Sequence, residues 1–184
     1  MTPTEQLQEE HQGITLMLKI LEKVCVKMEA QEKVDPNHLE RIVDFFRVFA
    51  DKCHHGKEED LLFPEMEKAG IPREKGPIGV MLAEHTQGRA YVRAMGEAVT
   101  RNRKGEARGR EEFVENARNY ISLLTQHIEK ENNILFPMGD RVLSKEKQEK
   151  LVEGFEELER VKIGPGMHET FHQLLHQLQG IYLK

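Results

Sequence analysis

One unit occurs twice in this chain, and that repetition limits what it can fold into more than any other feature. The stretch Cys53-His54-His55-Gly56-Lys57-Glu58-Glu59-Asp60-Leu61-Leu62-Phe63-Pro64 returns, reworded, as His127-Ile128-Glu129-Lys130-Glu131-Asn132-Asn133-Ile134-Leu135-Phe136-Pro137. Both copies read His-x-x-x-Glu, then two residues, an aliphatic pair and Phe-Pro. The echo extends upstream: His11, in Glu10-His11, precedes His54 by 43 residues, and His85, in Glu84-His85, precedes His127 by 42. Each unit is a single histidine, a long gap and a His-x-x-x-Glu. Repetition of this kind fixes architecture before local propensity does.

Residues four apart share a helix face about one turn from each other. A helical His-x-x-x-Glu therefore aims an imidazole nitrogen and a carboxylate at one point beside the helix. Two such helices and the single His11 and His85 offer four nitrogens and two carboxylates. Imidazole suits iron, zinc, copper and nickel, while a carboxylate can span two metal ions. Six protein ligands exceed what one ion usually takes, so the set describes a dinuclear site. With no thiolate aimed at the same face, a non-haem di-iron centre is the leading reading. Burying that much polarity without partners would cost several kcal/mol per group.

The rest of the pattern is helical. Leu7, Ile14, Leu18, Leu21, Cys25 and Met28 recur at helical spacing across residues 4–30, with His11 inside the stripe. Asn37 is the expected N-cap of a second helix, which carries Ile42, Val43, Phe46, Ala50, His54, Glu58 and Leu61 on one side. Gly70 and Pro72 close it. A third helix spans residues 78–100, with Met81, His85, Val92 and Val99 inward, and residues 104–110 read as a solvent loop. A fourth aligns Phe113, Tyr120, Leu123, His127, Glu131 and Ile134, and Pro137 calls for a kink or a stop. Ser144 caps a charged helix to residue 161, Gly164-Pro165-Gly166 breaks it, and residues 167–183 form a last amphipathic helix. No β alternation is sustained. The expected fold is all-α: an up-down-up-down four-helix bundle over residues 1–140, with residues 141–184 a two-helix extension packed on it.

Composition bounds the function. The chain has 184 residues, a single domain by length with room for a substantial core. Hydrophobic residues at 38% and charged residues at 32% suit amphipathic helices rather than disorder. A net charge of −5, no tryptophan and few aromatics argue against nucleic-acid binding as the main task. Cys25 and Cys53 stand in no metal spacing and are expected as reduced packing residues. No charged-then-apolar leader opens the chain, and no apolar run approaches the roughly 18 residues of a membrane span. A cytoplasmic location is the expectation.

The order His11, His54-x-x-x-Glu58, His85, His127-x-x-x-Glu131, with Leu-Phe-Pro after both carboxylates, resembles the hemerythrin-like HHE cation-binding family over residues 10–137. Six positions agree in type and order. The resemblance implies two iron ions, oxo- or hydroxo-bridged, with His11, His54, His85 and His127 as terminal ligands and Glu58 and Glu131 as bridges. The oxygen-carrying hemerythrins have a second histidine one turn after the third-helix ligand, where this chain has Arg89. They place the last bridging carboxylate five residues after its histidine, where this chain has Asn132, so Glu131 takes that role. A lost ligand would open a coordination position with a cation beside it. That weakens the case for a reversible oxygen carrier and fits a site that senses iron or oxygen, or reacts with peroxide or nitric oxide.

A replacement ligand is expected from the last helix. Its apolar face is Met167, Phe171, Leu174, Leu175, Leu178 and Tyr182, which puts His168 at the edge as the best candidate for a fifth histidine ligand, His172 beyond it and His176 near solvent. His55 and Glu59 are turned about 100° from the inner face and are expected at solvent or in an outer ring of partners. Glu10 and Glu84 read as outer acids, and His38 as exposed. Arg89 either pairs with a carboxylate in the bundle or serves the open position. The reading adopted is a di-iron protein that binds or senses iron, dioxygen, peroxide or nitric oxide, with neither nucleic acid nor membrane as a partner. The alternatives are a di-iron enzyme that decomposes peroxide or reduces nitric oxide, and a bundle held by structural zinc.

Overall fold

The computed structural model of the chain describes residues 1–184, and its regular structure is entirely helical. Six helices follow one another: α1 (Pro3–Glu29), α2 (residues 36–68), α3 (Pro77–Arg103), α4 (residues 107–142), α5 (Lys145–Lys162) and α6 (Met167–Tyr182). The first four form the bundle. No helix is long and apolar enough to cross a membrane.

Helix starts follow capping chemistry. Thr2 and Glu5 form a reciprocal capping box at α1, and Ser144 accepts from the Lys147 N–H at α5. At α2 the cap is Asp35 rather than Asn37: the Asn37 N–H donates to Asp35 Oδ1 at 2.8 Å, and Pro36 takes the first helical position. The expected loop at 104–110 is shorter, because α4 starts at Ala107 after a turn at Gly105, whose φ of +78° suits glycine. His38 is not exposed as expected, since its Nδ1 lies 2.7 Å from the Tyr182 hydroxyl and ties the start of α2 to the end of α6.

Two helices change pitch where they carry the repeated motif. α2 is π-helical over Phe45–His55 and Glu58–Leu62, and α4 over Glu131–Leu135. The two short segments have a shared cause. Pro64 and Pro137 have no N–H, and their rings would clash with the carbonyl four residues back. Each preceding phenylalanine instead donates five residues back, Phe63 to Glu58 and Phe136 to Glu131. This wider turn is how α4 runs on to Val142, so Pro137 does not stop it. The same widening shifts the inward face by one position: Leu135 is buried, while Ile134, expected inward, is 54% exposed.

The core falls into two apolar layers. One gathers Ile14, Leu18, Leu21, Phe46, Ala50, Val92, Val99, Phe113 and Tyr120 with their neighbours. The other gathers Leu7, Leu62, Phe63, Ile78, Met81, Leu135 and Phe136. On every bundle helix the histidines and glutamates of the repeat fall between these layers, so the apolar stripes of all four are interrupted at one level. α5 packs Leu151 and Phe155 into the second layer, and α6 packs Phe171, Leu174, Leu175, Leu178 and Tyr182 into the first. The α5–α6 turn, with Gly164 and Gly166 at positive φ, therefore stands near the level of the polar layer.

Candidate metal centre

The polar layer brings together all six residues of the repeated motif, each almost completely buried. Glu58 faces His54 with Oε1 at 3.4 Å and His85 with Oε2 at 3.3 Å. Glu131 faces His11 with Oε2 at 3.2 Å and His127 with Oε1 at 3.1 Å. Each carboxylate thus reaches one histidine of its own helix and the lone histidine of the other repeat, a two-fold relation between the halves of the bundle.

These close approaches are not hydrogen bonds. His11 Nε2, His54 Nε2 and all four carboxylate oxygens of Glu58 and Glu131 are buried without a hydrogen-bond partner, an arrangement natural proteins rarely tolerate. The atoms converge on shared points between them rather than on one another. His85 Nε2 and His127 Nε2 also lie 3.1 Å apart. Because carboxylates hold the Nδ1–H of both rings, those two Nε2 atoms present lone pairs to each other, which only a cation or a proton between them makes favourable.

A fifth histidine joins them. His55, expected outside, is 4% exposed, and its ring stacks on His85 with centroids 3.8 Å apart. The cause is the π segment Phe45–His55: bonds that reach five residues back turn the chain less per residue, so consecutive His54 and His55 both face inward. Two donor sets result, each with its atoms within 4.8 Å of one another. One is His11, His54, Glu58 and Glu131; the other is His55, His85, His127 and Glu58. Imidazole nitrogens and carboxylate oxygens in this number fit two transition-metal ions.

Every one of the five rings is oriented from behind. Nδ1 of His11 meets Asn132 Oδ1 at 2.7 Å, His54 meets Glu10 at 2.8 Å, and His55 meets Asp51 at 3.3 Å. His85 meets Glu59 and His127 meets Glu84, both at 2.8 Å. Such partners fix the tautomer and raise the basicity of a ligating imidazole. The acids are anchored in turn: Lys57 binds Glu10, Lys130 binds Glu84, and Arg89 binds Asp51 at 2.8 Å and Glu59 at 2.6 Å. The two phenylalanines of Leu-Phe-Pro complete the pattern, Phe136 stacking on His11 and Phe63 on His85.

The layer's electrostatics show what it lacks. Burial would push the His54 and His85 imidazoles down, yet the surrounding carboxylates raise them to about 10 and about 11. Burial and repulsion from Glu131 would raise Glu58, but the facing His54 and His85 imidazoles pull it down to about 2. Glu131 is held well below the usual carboxylate range against burial, by His127, His11 and His85. Two carboxylates in a dry layer demand positive charge. Without an ion they draw protons onto the imidazoles, and a metal ion takes the place of those protons. His55 is the exception, pushed down to about 3 by burial and by its neighbour His85, and so it presents a neutral ring.

One sequence expectation is corrected here, and of the two roles left open for Arg89 the structure shows the pairing with carboxylates. His168 does not reach this layer: its side chain is 40% exposed, its Nε2 lies 3.6 Å from Glu159, and it stands at the edge of Phe49. Arg89 is not free to serve an open position, because Asp51 and Glu59 hold it. The sequence reading also missed Asp51, Lys57 and Lys130. The two lysines carried a signal, since both copies of the motif read His-x-x-Lys-Glu.

Residues 2–139 match the family described as Hemerythrin HHE cation binding domain. The chain is also similar to uncharacterized proteins of Mycobacterium bovis and Mycobacterium tuberculosis. Identity is 24% over 163 residues, covering 89% of this chain. The chain spans about 63% of the length of these curated relatives. The family match covers the bundle to within the last turn of α4 and ends before α5. With that match over most of its length, the chain belongs to the hemerythrin HHE family of cation-binding domains.

Proposed function

We propose that the chain is a non-haem di-iron protein that binds or senses iron, dioxygen or a related small molecule such as peroxide or nitric oxide. The observation that carries this reading is the unequal histidine count on the two sides of the layer, three against two. His55, His85 and His127 stand on one side with Glu58, and Glu131 turns its Oε1 to the same side beside His127. His11 and His54 stand on the other with both glutamates, so two spanning carboxylates would give five donors to one ion and four to the other. A small ligand would therefore be taken on the His11–His54 side, where fewer protein donors stand, and not beside Arg89.

Iron bound there supplies reversible electron exchange and a coordination position for a diatomic molecule or peroxide. The protein's part is positional. Glu58 and Glu131 would hold the pair together, and the Nδ1 partners keep each lone pair aimed inward. The apolar layers above and below exclude bulk water. A polar groove lined by Gln8, Gln12, Thr15, Asn132 and Asn133 runs beside His11 and offers a small ligand a path to that side. The enzyme alternative finds no support in Arg89, whose guanidinium is occupied by two carboxylates and is not available to hold a reacting anion.

Anaerobic titration with ferrous iron, followed by metal analysis, tests this. The expected result is two irons per chain, with an absorption band of the oxidised pair that shifts when peroxide or nitric oxide is added. One ion per chain, or exclusive uptake of zinc when both metals are offered, would overturn it.

A further inference from the structure

The two lysines of His-x-x-Lys-Glu occupy equivalent positions in the repeat but not equivalent surroundings. Lys130 binds Glu84 and is 37% exposed, so water completes its hydration. Lys57 binds Glu10 and is 1% exposed, with the Phe155 ring 5.6 Å away. A buried ammonium needs more than one anionic partner. The second comes from outside the matched family region: Glu159 of α5 closes on the same Nζ. A continuous chain of contacts results, from Glu159 through Lys57 and Glu10 to Nδ1 of His54.

We propose that Glu159 is a positioning residue for the metal centre, acting through Lys57 and Glu10 on His54. The physical argument concerns how one cation's charge is shared. While Glu159 takes part of the field of Lys57, Glu10 keeps enough electron density to accept strongly from His54 Nδ1–H. Without Glu159, Lys57 turns its full charge on Glu10. Glu10 becomes the poorer acceptor and His54 the poorer ligand. The other half of the centre has no such dependence, because Lys130 faces solvent. The C-terminal helices thereby act on the ion between His11 and His54, the side with fewer donors, and leave the other ion alone.

This inference rests on the two-ion reading above, and the experiment separates the two. Full-length wild type, Glu159→Gln and Glu159→Asp are titrated anaerobically with Co2+, whose visible absorption reports each binding step. Glu157→Gln, which removes an exposed ion pair with Arg160 on the same helix, is the control. If wild type binds fewer than two Co2+, the two-ion reading fails, and this inference with it. Where wild type binds two, the expected result for Glu159→Gln is a weakening of the second step by about tenfold. The absorption of that step should shift and the first step should stay unchanged. Glu159→Asp restores part of the loss and Glu157→Gln none. Unchanged steps in Glu159→Gln would overturn the proposal. So would an equal weakening of both steps that tracks a fall in Tm, the mark of a general structural role.

Discussion

The two repeats of the bundle build the same half-site with different supports. In the second, α3 and α4 carry His85, His127 and Glu131 on turns whose outer partners face solvent. Lys130 is the half-exposed anchor of Glu84. In the first, α1 and α2 lie under α5 and α6, and Lys57 is sealed beneath Phe155 and neutralised by Glu159. The first repeat also holds the long π segment that delivers His55, where the second has Ile128 on a regular α-helical turn. Yet His55 is grouped with His85 and His127, so the first repeat furnishes the third histidine of the second repeat's donor set. The two sites are related by sequence, but neither is complete within one repeat.

That comparison can be broken by substitution, and the largest effect belongs to what the halves share. Glu58→Ala and Glu131→Ala should each abolish retention of both ions, as read by metal analysis after gel filtration, because each carboxylate faces a histidine on either side. One ion retained at full affinity in either variant would show that the sites are separate. Next comes His55→Ile, which makes the first repeat read like the second. Removal of a direct donor should weaken the tighter ion by more than about a hundredfold, the upper range for loss of an outer partner. Smaller effects come from the anchors. Arg89→Met frees Asp51 and Glu59 together and should weaken the same ion by about tenfold. Lys130→Met, whose site water can refill, should cost only about threefold. Equal effects would refute the expectation that Arg89, which anchors two acids, counts for more than Lys130, which anchors one. The smallest response is expected of Cys25, packed in the covered half. Burial, only partly opposed by Arg118, pushes its thiol up to about 12. At pH 8 about one thiol in ten thousand is then ionised, and alkylation of the folded protein should leave it intact by mass spectrometry.

The six residues of the motif were legible because a spacing of four brings each glutamate back beside its histidine on an α-helical turn and on the somewhat wider turns of α2 alike. The repeat supplied the rest, since finding one half-site twice implies a layer between four helices. His55 was illegible for the complementary reason. A fixed 100° per residue sends it outward, and nothing in Phe45–His55 announces a wider turn, there being no proline in that segment. The short π turns before Pro64 and Pro137 did have a visible cause, but the same arithmetic placed Ile134 inward instead of Leu135. His168 was put near the centre because the apolar face of α6 was read correctly, while the line along which that helix lies on the bundle cannot be read from its own periodicity. Glu159 meets Lys57 across 102 residues, and no spacing rule links such a pair.

The wider turns of α2 bear on how ligands are gained and lost in proteins of this kind. Each such turn accommodates an additional residue in the helix without lengthening the bundle. A one-residue insertion or deletion upstream therefore resets the angular phase of everything after it. Between Phe45 and Glu58, such an event could exchange His54 for His55 as the ring facing a given ion, with every histidine still present in the chain. Relatives with identical motifs can differ in coordination, and alignment gaps inside α2 are where that difference would be recorded.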